Sequence, residues 1–175
     1  MSVDSEHSRE AAALPDRESR VWRVLESVPD PEIPVLSVVD LGIVRHVRWV
    51  ASRLHVGITP TYSGCPATEV IRSLAEQALR RAGVGTFRVK RVLAPAWSSD
   101  WITPEGRRKL FEYGIVPPDR SSSSPRDLRR GDKPVACPHC RSMETECVSE
   151  FGSTPCKALH RCRACLEPFE YFKCI

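Results

Sequence analysis

Seven of the eight cysteines fall between Cys137 and Cys174, while the eighth, Cys65, stands alone far upstream. Four of the seven form Cys137-Pro138-His139-Cys140 and Cys162-Arg163-Ala164-Cys165, two C-x-x-C pairs with 21 residues between them. Each pair offers two thiolates from one tight turn to a tetrahedral ion, which is zinc-ribbon spacing. Zinc is the default occupant, although four thiolates also suit iron or an iron–sulfur cluster. The segment that carries them, residues 135–175, is too short to be stable by apolar burial alone, so a metal staple is physically required. Disulfides are the weaker reading: Met1 to His7 carries acids and no apolar run, so no secretory leader is expected and the chain is placed in the reducing cytoplasm. No segment is apolar for long enough to span a bilayer.

The turn chemistry departs from the ideal. A ribbon knuckle often has Gly after its second cysteine, where φ is positive, but Arg141 and Leu166 stand there. Keeping the geometry costs roughly 1 kcal/mol at each place. Cys147, Cys156 and Cys174 exceed a four-ligand site, and Cys147 reads as a buried thiol. His139 and His160 rank below the cysteines as ligands, since lone histidines are more often surface residues.

Upstream, residues 1–19 are polar and aperiodic and are expected to form a disordered leader. From Arg20 the apolar residues Val21, Val24, Leu25 and Val28 mark one face of a short helix that Pro29 stops. Pro29, Pro31 and Pro34 then stiffen a loop carrying Asp30 and Glu32. Residues 43–50 and 53–59 read as an antiparallel strand pair turning near Ala51 and Ser52, and residues 67–82 as the clearest amphipathic helix, ended by Gly83. A third strand is expected over 87–93. A further helix follows, capped by Thr103 with Pro104 at its first position and running to about Tyr113. The fold class is therefore α+β: a helix–strand–strand–helix–strand domain over 20–116, then a Pro-, Ser- and Arg-rich linker over 117–134, then a Cys-rich ribbon-like β domain over 135–175.

Cys65 precedes the strongest helix, with Pro66 suited to its first turn. A sulfur there feels the positive end of the helix dipole, which favours the thiolate and makes it a nucleophile or soft metal ligand. The competing reading is a small residue packed under the loop. One thiolate cannot hold a cluster alone, so Asp30, Glu32 or Asp40, a second protomer (a homodimer), or a client protein must complete the shell. A cysteine hydrolase would need a histidine base; His46 and His55 lie on strands and read as exposed strand residues. Nucleic-acid binding is disfavoured because 26 Lys and Arg against 22 Asp and Glu leave a net charge of only +4.

Three stretches, Asp30-Pro31-Glu32-Ile33-Pro34, Asp40-Leu41-Gly42-Ile43-Val44 and Thr59-Pro60-Thr61-Tyr62-Ser63-Gly64-Cys65-Pro66, make the first domain resemble the metal–sulfur cluster assembly-factor family, including SufT-like proteins. The whole chain resembles the PaaD (PaaJ) family of small proteins associated with the multicomponent phenylacetyl-CoA epoxidase of aerobic phenylacetate breakdown. That closer likeness rests on the run from Trp97 to Leu110 and on tail stretches around Phe151, Cys156 and Cys174. It implies a maturation helper and not the oxygenase, with the oxygenase and reductase subunits as partners. The chain agrees, having no paired Glu-x-x-His motifs for a di-iron bundle and no Gly-rich dinucleotide fingerprint. Carried over by position, Cys65 is the reactive cysteine, transiently holding iron or a cluster, and Cys137, Cys140, Cys162 and Cys165 are metal ligands. Cys156 and Cys174 lie in tail motifs and are candidate additional ligands.

Overall fold

The structure, a computed structural model, describes residues 16–62, 64–118 and 135–173. The expected leader falls outside the described residues as far as position 15; residues 16–19 are already helical and belong to α1, which runs over residues 16–26. The expected linker likewise lies outside them except for Pro117 and Pro118, and Cys174 lies outside as well.

The helix α1 buries Val21 and Leu25, and Val28 just beyond it, as a stripe of one-turn spacing requires. The loop that follows is built from side-chain turns. Asp30 Oδ1 accepts from the backbone N–H of Glu32 at 2.9 Å and of Ile33 at 2.8 Å. Ser37 N–H donates to Asp40 Oδ2 at 2.9 Å, and Asp40 N–H donates back to Ser37 Oγ at 2.9 Å. These reciprocal bonds satisfy backbone donors that no helix or sheet would use, so the proline-rich segment holds one shape.

Strands β1 (Val44–Val50) and β2 (Arg53–Ile58) pair antiparallel through a turn with Ala51 at φ 52°, and β3 (Phe87–Arg91) adds parallel to β2. A parallel neighbour requires a crossover, which α2 (Ala67–Arg81) provides, burying Ile71, Ala75 and Leu79. The sheet order is β1-β2-β3, so β2 is central and buries Leu54, Val56 and Ile58. A Cβ at position 57 on β2 would lie 2.2 Å from the imidazole of His46 across the pair, so a larger residue than Gly57 would have to displace that ring. The helix α3 (Pro104–Glu112) starts as expected, with Thr103 Oγ1 accepting from Gly106 N–H at 2.9 Å and Pro104 in the first turn.

Directly after α3 the chain does something the sequence reading did not foresee. Ile115 and Val116 form β4 and pair in parallel with β7 (Pro168–Phe172), so the exit from the first half is an edge of the second sheet. That sheet has the order β4-β7-β6-β5, with β5 at Thr145–Ser149 and β6 at Lys157–Cys162. Phe172 and Cys156, from the ribbon half, are buried in the same apolar cluster as α1, β2 and α2. The Phe172 ring lies 6.1 Å from that of Trp97. Full burial of such an aromatic stabilises by about 2 kcal/mol, enough to fasten the two halves to one another. No helix among the described residues is long and apolar enough to cross a membrane.

Candidate functional site

Two sulfur-bearing sites are present, and they differ in construction. In the ribbon, Cys137, Cys140, Cys162 and Cys165 place their sulfurs within 4.8 Å of one another. Cys137 and Cys165 are 3.7 Å apart and Cys140 and Cys162 3.5 Å apart, far beyond a disulfide bond of about 2.05 Å. A tetrahedron with Zn–S bonds of about 2.3 Å has S···S edges of about 3.8 Å, so the four sulfurs fit a single zinc ion. Both knuckles keep the left-handed residue after the second cysteine: Arg141 and Leu166 each have φ 66°. The Arg141 guanidinium lies over the Phe111 ring at 4.2 Å, a contact that offsets part of its strain. The backbone N–H of Cys165 donates to Cys162 Sγ at 3.5 Å. This bond is the main cause that lowers the Cys162 thiol to about 7. Cys165 is pushed up to about 12 against the pull of the Glu167 amide, by burial and by sharing protons with the other sulfurs. Four neighbouring sulfurs cannot all ionise without a cation to hold them.

Two other tail residues need correction. Cys147, expected to be buried, is exposed on β5, the edge strand of its sheet. His160 is buried instead of lying at the surface, stacked on Phe169 and edge-on to Tyr171 with ring centroids 5.6 Å away in each case. Burial depresses its basicity, and its Nδ1 has no hydrogen-bond partner among the described residues. Neither His160 nor the exposed His139 joins the four-cysteine group.

The second site surrounds Cys65. Gly64, with φ 87°, turns the chain so that Cys65 enters just ahead of α2, where its carbonyl accepts from Thr68 N–H at 3.3 Å. Cys65 is half-buried and lines a cavity together with Asp30 and Glu32 from the proline-rich loop. The ribbon half reaches the same cavity with Cys156 and Phe172. Cys156 is therefore brought to Cys65 and not to the four-cysteine group, a placement no spacing rule anticipates. The titratable groups that line the cavity are carboxyls and thiols, and burial opposes the ionisation of Asp30, Glu32 and Cys156 while the nearby Lys157 ammonium favours it. Burial raises Asp30 against the pull of two backbone N–H bonds, and burial followed by Asp30 raises Glu32. Burial also raises the Cys156 thiol, with Glu32 adding to it, although the Thr154 hydroxyl 3.1 Å away opposes the change. Burial, then Cys65, Glu32 and Cys156, pushes the Tyr62 phenol up to about 12.

Asp40 does not line this cavity. Its Oδ2 accepts from Lys109 Nζ at 2.7 Å as well as from Ser37, and Thr103 N–H donates to its carbonyl at 2.9 Å. Burial works against its ionisation, but the Lys109 and Ser37 bonds outweigh it and hold the carboxyl below its ordinary value. The aspartate pins α3 to the loop. His46 and His55 are half-buried on β1 and β2 and do not line the cavity either.

With both geometries in view, the comparisons with known proteins fall into place. Residues 18–93 match the family described as Iron-sulfur cluster assembly protein, and residues 121–173 match the PaaD zinc beta ribbon domain. A protein of Escherichia coli (strain K12), provisionally named as a subunit of 1,2-phenylacetyl-CoA epoxidase, is 46% identical over 95% of this chain and 99% of its own length. The chain belongs to the PaaD family. A second relative, an Fe-S protein maturation auxiliary factor of Porphyromonas gingivalis (strain ATCC BAA-308 / W83), is 32% identical over 57% of this chain and 92% of its own. Among solved structures, a domain of unknown function DUF59 from Bacillus anthracis matches with TM-score 0.53 and 27% identity, covering 57% of this chain and 96% of that one. The shorter relatives thus account for the assembly half alone, while the likeness to the Escherichia coli protein extends through the ribbon.

Proposed function

We propose that this PaaD-family chain is an accessory maturation protein of a phenylacetyl-CoA epoxidase system in aerobic phenylacetate catabolism, helping to assemble a metal or iron–sulfur centre in an oxygenase or reductase subunit. The observation that carries the reading is the cavity in which half-buried Cys65 meets Asp30 and Glu32. A thiol beside two carboxylates, open on one side, can take a soft or borderline metal with vacant coordination positions, and ligand exchange to a client needs such vacancies. The ribbon has the opposite character: four cysteines with tetrahedral spacing would hold zinc in a closed shell, which suits structure and docking.

The test is to co-produce the epoxidase subunits with the Cys65→Ser chain and measure their iron content and activity. Loading should fall at least tenfold; full loading would refute a transfer role. A second reading, a non-catalytic adaptor of the epoxidase complex, draws on the exposed apolar residues Val148, Phe151 and Leu166 of the ribbon half. It predicts stoichiometric co-purification with the subunits and indifference to Cys65.

A further inference from the structure

Alternation along three strands sorts the first sheet into two unlike faces. Leu54, Val56 and Val89 point into the core. The opposite face carries His46 and Arg48 from β1, Arg53 and His55 from β2, and Arg88 and Lys90 from β3. The register places Arg48, His55 and Arg88 in one row across the sheet, and His46, Gly57 and Lys90 in the next. The three strands contain no Asp or Glu. Arg48, Arg53, Arg88 and Lys90 are exposed, and none of the four meets a carboxylate among the described residues. Elsewhere surface arginines are paired: Arg72 with Glu69 and Glu76, Arg108 with Glu105 and Glu112, Arg161 and Arg163 with Glu146. Like charges opposite one another on neighbouring strands destabilise a sheet. Burial, then Arg48 and His55, hold the His46 imidazole below its ordinary value. A cost carried on the sheet and avoided on the helices points to a partner that supplies the missing negative charge.

Chemistry narrows the partner. A second copy of this face would meet it with the same sign and be repelled. A small anion is best held by convergent backbone N–H groups, but those of the central strand β2 serve the ladders on its two sides. A nucleic-acid strand needs rings for its bases to stack on, yet Trp49 and Phe87 stand in register with Leu54, on the buried side. Carboxylates on the flat surface of a folded protein require neither. We propose that the open face of the β1-β2-β3 sheet is a docking surface for an acidic patch on a client subunit of the epoxidase system. The inference rests on the reading of the chain as a maturation helper, and it adds which surface meets the client and with what charge. Three strands spaced by about 4.8 Å, each rising about 3.3 Å per residue, make a face of roughly a few hundred Å². That is below the roughly 800 Å² per partner of a stable complex. The contact is therefore fast and short-lived, steered by charge and weakened by salt, which suits a helper that must leave its client.

The test measures association of the full chain with purified oxygenase and reductase subunits by surface plasmon resonance at several NaCl concentrations. For at least one subunit the association rate should fall about tenfold between about 50 mM and about 300 mM salt, and about tenfold at low salt in Arg48→Glu/Arg88→Glu. Arg20→Glu/Arg81→Glu makes the same change of net charge at exposed positions of α1 and α2. It should slow association no more than about twofold. Arg48→Gln/Arg88→Gln, checked for an unchanged thermal midpoint, should show a smaller loss in the same direction and guards against a folding artefact. Equal losses in the two reversal pairs, or no binding of either subunit by the parent chain, overturn the surface. So does a sheet-face pair that leaves subunit association intact while abolishing binding of an oligodeoxythymidine strand, because the face would then serve nucleic acid. The maturation reading fails separately: if the sheet-face pair slows association while Cys65→Ser leaves the subunits fully loaded, the docking surface stands without the transfer role. If Cys65→Ser abolishes loading while the sheet-face pair associates as the parent does, the transfer role stands without this surface.

Discussion

The ribbon cluster and the Cys65 cavity use the same element in opposite ways. In the ribbon, four sulfurs lie within 4.8 Å of one another, two pairs of them 3.5 and 3.7 Å apart, and the backbone accepts two strained residues beside them. In the cavity, one sulfur comes from each half of the molecule, the acids Asp30 and Glu32 line the same wall, and one side stays open. A closed shell adds folding energy and gives nothing away, whereas an open one adds little and can exchange. The contrast teaches that cysteine number alone does not define a metal site's role; what matters is how completely the protein fills the shell.

The comparison would break first at the ribbon. Cys162→Ser, or removal of zinc by a strong chelator, should cost on the order of 10 kcal/mol of apparent folding energy and unfold β5 to β7, read by circular dichroism and metal content. Because Phe172 shares the core of the assembly half, the thermal midpoint of that half should fall as well; an unaltered midpoint would mean the halves are energetically independent.

A smaller effect separates two aspartates. Asp40 is held below its ordinary 3.8, so the stability it contributes is fully present above that value and is lost as the pH falls through its lower folded value. Asp30 is raised above 3.8, so its contribution has the opposite sign: it is present at low pH and lost as the pH rises through its folded value. At neutral pH, Asp40→Asn should therefore cost about 2 kcal/mol in urea unfolding, by leaving Lys109 without its acceptor. Asp30→Asn in the metal-free chain should cost nothing or stabilise slightly. The gap between the two variants should close as the pH is lowered below the ordinary aspartate value, and a constant gap would sink the assignment.

The smallest effect concerns the knuckles. Leu166→Gly should gain about 1 kcal/mol by relieving its positive φ. Arg141→Gly should gain close to nothing, since it forfeits the contact with Phe111, worth about 0.5–1 kcal/mol. Equal gains at the two positions would show that this contact contributes no stability.

Much of this was legible beforehand because it is local. The Thr103-Pro104 helix start, the stripe of α2 and the strain at Arg141 and Leu166 each follow from a few adjacent residues, as does the pairing of two C-x-x-C turns. The rest depends on contacts across long stretches of chain. Asp40 looked like a companion for Cys65 because both sit in motifs of one domain, but the partner that decides its role, Lys109, is 69 residues away. Cys156 looked like surplus of the ribbon because it lies among ribbon cysteines, and only the docking of Phe172 beside Trp97 turns it towards Cys65. His160 was misjudged because its aromatic neighbours lie on β7, which the sequence alone does not pair with β6.

The parallel pairing of Ile115 and Val116 with Glu170 and Tyr171 means that the ribbon sheet is stitched to the assembly half by hydrogen bonds and not only by the covalent chain. A protease cut anywhere between positions 119 and 134 should then leave two fragments that still co-elute, and the same two pieces made separately should reassemble when mixed with zinc.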